Sequence, residues 1–356
     1  MNVISPKRKT AIVLFNLGGP DAPESVEPFL YNLFDDPAII GAPWLVRKML
    51  ARFISKKRGP IAREIYSHMG GKSPIVENTI AQSAALKAQL EPHGEVEVFF
   101  SMRYWHPMSP EVVAQVKAYE PDHIILLPLY PQFSTTTSGS SLKNWHEEAE
   151  RQGLNAPTSS ICCYPTHKDF VQSQAVEIRS VLTKLEAEKP YRILFSAHGL
   201  PEKIIKKGDP YQWQVEETTK AVVKELAIKD LDYMNCYQSR VGPLKWIGPS
   251  TEDEIMRAGA EDKAIILVPI AFVSEHSETL VELDIEYKEL ADEHHVPAYH
   301  RVPTVAVNEH FIKALADSCL QIEAKDKLCA HVPSGMCPAK FGECPKRLHS
   351  NQQKAA

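Results

Sequence analysis

Six short runs of β-branched and aliphatic residues, set apart by longer charged stretches with helical spacing, constrain this chain more than any other feature. They are Thr10–Leu17, Val96–Met102, His123–Leu129, Arg192–Ala197, Tyr233–Cys236 and Ala264–Ile270. Most are near-continuous apolar runs, not strict alternations, which is the pattern of strands buried on both faces. Strands that alternate with helices along the chain predict an α/β fold with a parallel sheet covered by helices. The chain has 356 residues, 44% of them hydrophobic, which is enough for two domains.

The runs also repeat. TAIVLFNLGGP (Thr10–Pro20) is similar to RILFSAHGLP (Arg192–Pro201), and FFSMRYWHP (Phe99–Pro107) loosely parallels MNCYQSRVGP (Met234–Pro243). The strongest pair is DHIILLPLYPQFST (Asp122–Thr135) with DKAIILVPIAFVSE (Asp262–Glu275). Asn16 pairs with His198, Arg103 with Arg240 and Pro128 with Pro269. The first separation exceeds the other two, and one insertion between Pro20 and Val96 accounts for the excess. Two similar α/β halves follow, over 8–165 and 166–309, with a final helix and tail over 310–356. A ligand cleft between the halves is the natural consequence.

Composition narrows the function. A net charge of −5 with no basic stripe argues against nucleic-acid binding. The apolar run after Lys7–Lys9 stops at Phe15, too short for a signal peptide, and no segment approaches a membrane span. A cytoplasmic protein is expected, where seven cysteines read as metal ligands or packing groups and not as disulfides. The insertion, over about 29–70, has its own character. Trp44, Leu45, Met49, Leu50 and Phe53 lie beside Arg47, Lys48, Arg52, Lys56, Lys57 and Arg58. Such an apolar lip flanked by cations suits a membrane surface or a greasy ligand carrying carboxylates, while composition alone slightly favours an amphipathic helix packed on the body.

Two segments carry chemistry. His198 ends the run YRILFSA and precedes GLP, which places an imidazole at the carboxyl end of a parallel strand, where open α/β sheets bind ligands. Imidazole suits both metal ligation and proton transfer near neutral pH. AFVSEHSETL (Ala271–Leu280) follows the matching strand of the same half and leads into Glu282, Asp284 and Glu286. A helix starting near Ser274 sets Glu278 and Glu282 on one face, a carboxylate ladder that is costly unless cations or protons relieve it. That suits a site receiving a divalent metal and removing protons. The loops GGKSPI (Gly70–Ile75), PQFSTTTSGSS (Pro131–Ser141) and SRVGPLKWIGP (Ser239–Pro249) contain no nucleotide-binding glycine motif.

Together with LGGP (Leu17–Pro20), MRYWHP (Met102–Pro107), SAHGLP (Ser196–Pro201) and PIAFVSEHSETLVELDIEY (Pro269–Tyr287), these loops make the chain resemble the ferrochelatases that metallate protoporphyrin. The match runs from about Thr10 to Phe311. The resemblance implies two chelatase-type Rossmann-like domains with parallel sheets around a porphyrin cleft. It implies a lyase reaction in which Fe²⁺, as substrate, enters protoporphyrin IX with release of two protons, the last step of haem biosynthesis. It places metal binding and proton removal on His198 and Glu278, and a proton or metal path on Glu275, His276, Glu282 and Asp284. Porphyrin contacts fall on Arg58, Arg103, Tyr104, Ser239, Trp246 and Phe272. The chain departs from the family pattern at Glu275, often Asp, at Ser277, and at Ile61, a lysine in animal members.

The tail CAHVPSGMCPAKFGECP holds Cys329, Cys337 and Cys344. Some family members bind a [2Fe–2S] cluster with three tail cysteines and one from the body, here Cys163 or Cys162. Spacing alone leaves zinc and reduced thiols as alternatives. The rival functions are a coproporphyrin ferrochelatase or other tetrapyrrole chelatase, and a haem carrier without catalysis.

Overall fold

The computed structural model describes residues 4, 8–184, 190–240, 242, 244–322 and 336–346. Its elements run β1 (Thr10–Asn16), α1 (Val26–Phe34), α2 (Trp44–Ser67), α3 (Ile75–Leu90), β2 (Val96–Met102), α4 (Ser109–Tyr119), β3 (His123–Pro128), α5 (Ser138–Arg151) and β4 (Thr158–Ser160). They continue with α6 (Lys168–Leu182), β5 (Tyr191–His198), α7 (Glu202–Lys206), α8 (Tyr211–Leu226), β6 (Tyr233–Gln238), α9 (Thr251–Ala260) and β7 (Ala264–Pro269). After these come α10 (Ser277–Leu280), a π-helical turn (Glu282–Glu286), α11 (Tyr287–Glu293), β8 (Tyr299–Arg301) and α12 (Glu309–Gln321).

The strands form two four-stranded parallel sheets in two compact units. The first sheet has the order β2-β1-β3-β4, the second β6-β5-β7-β8, the same order four strands later. All six expected strands are present. The two missed, β4 and β8, have three residues each, too few for a readable apolar run. β1, β3 and β7 are buried along their whole length, as their unbroken aliphatic runs require. The first core gathers Val13, Phe15, Val116, Leu126 and Trp145 between the sheet and its helices. In the second, Ile193, Phe195, Val215 and Val268 serve one side, and Leu194, Leu267, Leu283 and Tyr287 the other.

The registers correct the repeat. Thr10 lies opposite His123 and Tyr191 opposite Ala264, five residues before Pro128 and Pro269 respectively. The counterpart of His198 is therefore Leu17, one residue beyond the Asn16 read from sequence, and Gly18 and Pro20 align with Gly199 and Pro201. The insertion between β1 and β2 is α1 to α3, where the second unit has only α7 and α8.

Two glycines show how tightly the turns are built. Gly18 has φ +86°, and a Cβ at Gly19 would stand 2.6 Å from the Cβ of Ser73, so LGGP packs directly on GGKSPI. In the second unit a Cβ at Gly259 would sit 2.1 Å from the carbonyl oxygen of His294. Both partners are backbone atoms at the ends of α9 and α11 and cannot step aside. Gly259→Ala is expected to cost at least about 2 kcal/mol, through overpacking of a fixed contact. The urea unfolding midpoint checks it, with an unchanged midpoint counting against such close approach.

Candidate active site

His198 is the last residue of β5, and the chain turns away at once through Gly199, whose backbone N–H donates to the carbonyl of Gln238 at 2.8 Å. Trp246 covers this turn, with its ring edge 3.4 Å from where a Gly199 Cβ would lie. The imidazole keeps 38% side-chain exposure at the strand mouth. Its Nδ1 meets Glu278 Oε2 at 3.0 Å. In the neutral ring the proton on Nδ1 is therefore the one donated to the carboxylate, and Nε2 carries the lone pair.

Glu278 reaches this position from α10, which starts later than its sequence implied. The residue preceding the helix is His276, not Ser274: the backbone N–H of His276 donates to Thr279 Oγ1 at 3.0 Å, and Ser274 offers its carbonyl to His276 Nδ1 at 2.9 Å. With Nδ1 so engaged, His276 turns Nε2 toward Glu278 Oε2 at 3.8 Å. Phe272 lies against the His276 ring, centroids 4.8 Å apart.

Behind Glu278 the helix widens into its π-helical turn, which resets the carboxylate ladder. Glu282 is drawn inward and accepts from Gln238 Nε2 at 3.0 Å, Ser239 N at 2.8 Å, Ser239 Oγ at 2.6 Å and the Tyr287 hydroxyl at 3.1 Å. Gln238 also donates to the backbone carbonyl of Glu278 at 3.0 Å, so one carboxamide joins both acidic residues. Glu286 is exposed and takes no part.

Charge sets the protonation of this group. Burial alone would lower the His198 pKa, but the charge and hydrogen bond of Glu278 outweigh it and the net shift is upward. Burial works against ionised Glu278 in turn, and His198 and His276 overcome it, holding the carboxyl below the usual carboxylate range. His276 is likewise raised, burial being offset first by Glu278. Glu282 moves up, through burial and then the negative charge of Glu278, against its hydrogen bonds.

Glu275 and Asp284 stand apart from this constellation. Arg301, at the end of β8, holds Asp284 through Nε at 2.7 Å and Nη2 at 2.6 Å and Glu275 through Nη1 at 2.7 Å. Thr304 N adds a donor to Glu275 at 3.0 Å. A guanidinium therefore balances Glu275 and Asp284, while the Glu278–Glu282 ladder is met by His198 and by the donors of Gln238, Ser239 and Tyr287. Ser239 has both its N–H and its hydroxyl committed to Glu282.

The remaining expected contacts lie in the first unit. Arg103 and Tyr104 follow β2 and share one buried carboxylate, Asp36: Arg103 Nη2 lies 2.9 Å and the Tyr104 hydroxyl 2.8 Å from Asp36 Oδ2. Ser140 joins the same group, receiving Arg103 Nε at 2.8 Å. Arg58 is exposed on α2.

A second cluster of donors sits elsewhere in the second unit. The sulfurs of Cys163 and Cys337 both receive the Gln214 amide, at 3.6 and 3.2 Å. Cys337 is pushed well up in pKa by its hydrogen bond with Cys344, then by burial and by Cys163. Cys163, Cys337 and Cys344 are all buried, and soft sulfur donors gathered so closely suit a thiophilic metal centre. Cys163 is the member of the Cys162–Cys163 pair whose sulfur meets Gln214, and Cys329 lies outside the described residues.

Comparisons with known proteins give the family and the fold. The ferrochelatase family model matches residues 9–322. The chain is 51% identical to a ferrochelatase of Pelagibacter ubique, over 95% of this chain and 98% of that protein. It is 50% identical to ferrochelatases of Rickettsia bellii, over 95% of each chain, and of Caulobacter vibrioides, over 96% and 98%. Among solved structures, the sirohydrochlorin chelatase SirB of Bacillus subtilis subspecies spizizenii, in complex with cobalt, shares the fold at TM-score 0.51 and 10% identity, over 86% of this chain and 92% of that one. With its two like-ordered parallel sheets and the family match along nearly all of its length, this chain belongs to the ferrochelatases, the lyases that put ferrous iron into a porphyrin in haem synthesis.

Proposed function

We propose that the enzyme metallates protoporphyrin IX by using His198 as the proton acceptor and Glu278 as its charged partner. The observation that carries this reading is the 3.0 Å contact between them at the mouth of β5. A free-base porphyrin holds two N–H protons that must leave as Fe²⁺ enters. Neutral His198, its Nδ1–H held by Glu278, presents Nε2 for the first proton and for approach of the metal. The imidazolium that forms is stabilised by the carboxylate beside it. Glu282, less acidic than an ordinary glutamate, takes up the second proton, and Gln238 and Ser239 hold it in place by their hydrogen bonds. His276 supplies the other positive charge that keeps Glu278 ionised. In this reading Glu275 and Asp284 brace the acidic segment through Arg301, and Arg58, Arg103, Tyr104, Trp246 and Phe272 serve porphyrin binding. The first test is anaerobic incubation of the purified protein with ferrous iron and either protoporphyrin or coproporphyrin. Faster haem formation from protoporphyrin is expected; metallation of coproporphyrin alone would overturn the substrate assignment, and of neither, the catalytic one.

Two features extend the reading. Among the described residues no helix is long and apolar enough to cross a membrane. Yet α2 exposes Trp44 (57%), Leu45 (65%), Met49 (73%) and Phe53 (66%), with Lys48 placed over the Trp44 ring. A cytoplasmic enzyme touching the inner membrane face through this lip accounts for so much exposed apolar surface beside cations. Phe53→Ser should weaken sedimentation with phosphatidylglycerol vesicles by about tenfold, the loss of one buried aromatic side chain; equal binding would refute the contact. The thiol group fits three of the four ligands of a [2Fe–2S] cluster, Cys163, Cys337 and Cys344, with Cys329 as the fourth. When bound, such a cluster crosslinks the tail to the body and adds a one-electron centre.

A further inference from the structure

Gln214 is a fully buried carboxamide on α8, a placement that is costly unless every polar atom is used. Its oxygen accepts the backbone N–H of Phe133 at 2.8 Å, which fixes the amide orientation and leaves only the NH₂ to face the sulfurs of Cys337 and Cys163. A reversed amide would set oxygen against sulfur and lose both contacts. The tail is seated on the same helix. Phe341 stacks on Trp213 with ring centroids 5.7 Å apart, and Glu343 N donates to the carbonyl of Gly208, a residue at φ +104° where a Cβ would stand 2.9 Å from Gly342 N. One turn before Gln214, the backbone N–H of Tyr211 donates to Asp209 Oδ1 at 2.9 Å.

We propose that Gln214 is a positioning residue of the thiol centre: by donating to Cys163 and Cys337 it orients two sulfur ligands and locks the tail to α8. This deepens the reading of the thiols as a metal centre. Outer donors of this kind are conventionally worth about 10–100-fold in metal affinity, and hydrogen bonds to ligand sulfurs raise a cluster's reduction potential.

The test compares the full-length wild-type protein, purified anaerobically, with Gln214→Leu and Gln214→Glu. Iron and acid-labile sulfide are measured first, since their absence from wild type would refute the cluster and leave the role of Gln214 to the second arm. Where iron is bound, Gln214→Leu is expected to keep it with a more negative midpoint potential. In the second arm, metal-free protein is titrated with Cd²⁺ and followed by thiolate-to-metal absorbance, with affinity expected to fall about tenfold or more in Gln214→Leu. Should that variant fail to fold, Gln214→Glu, which keeps the shape and the acceptor but loses the donor, is expected to show the same two changes. A folded variant that matches wild type in Cd²⁺ affinity and, where iron is bound, in potential overturns the proposal.

Discussion

His198→Ala should lower the rate of haem formation by about 10²–10⁴-fold, the usual contribution of a positioned base. The fold should survive, because His198 and Glu278 keep 38% and 26% side-chain exposure, so water can take over the hydrogen bond to the carboxylate. His276, at 3.8 Å, still offsets part of the Glu278 charge. The loss should lie in turnover, with porphyrin affinity close to wild type, since the ring keeps its walls. Porphyrin titration by fluorescence and a matched thermal melt separate these effects. A variant that metallates at the wild-type rate with an unchanged melt would remove the imidazole from the mechanism.

Glu278→Gln is expected to have the second largest effect and a distinctive pH signature. His198 accepts a proton only when neutral, and Glu278 holds its pKa above the ordinary imidazole value against the opposing influence of burial. In the wild type, activity should therefore fall as pH drops through that raised pKa, with an acid limb above about 6.5. Glutamine keeps the shape and can still accept from Nδ1–H but carries no charge. Burial then acts unopposed by its partner, the His198 pKa falls, and the acid limb moves to lower pH. The plateau rate should fall by at least about tenfold, because the imidazolium formed on proton transfer has lost its counter-charge. Metallation rates across the pH range measure both. An acid limb that stays in place, or moves to higher pH, would show that Glu278 does not set the basicity of His198.

Much of this was legible in the residues. Short, mostly apolar runs gave six of the eight strands, and a histidine between such a run and Gly199–Leu200–Pro201 had to emerge at a strand mouth. The parts that were not legible share a physical reason. Arg301 sits at the end of a three-residue strand with no apolar run to announce it, so its capture of Glu275 and Asp284 leaves no periodic trace. The π-helical turn adds one residue to a helical pitch, and hydrophobic spacing does not resolve so local a change. Gln238, Gln214 and Asp36 are single polar residues whose value lies wholly in distant partners, and Cys163 is told from Cys162 only by which sulfur reaches Gln214. The porphyrin-facing assignments, Ser239 and Arg103 among them, came from the resemblance alone, and the bonds these two side chains make to Glu282 and Asp36 left no trace in the sequence.

The shared strand register has a consequence for how such an enzyme came to exist. Leu17 and His198 occupy the same station in two copies of one scaffold, each followed by glycine and, two residues on, by proline. A duplicated ancestor would have owned that station twice. One copy carries the imidazole there, while its twin has an aliphatic residue and, in the connection that follows, three helices against two.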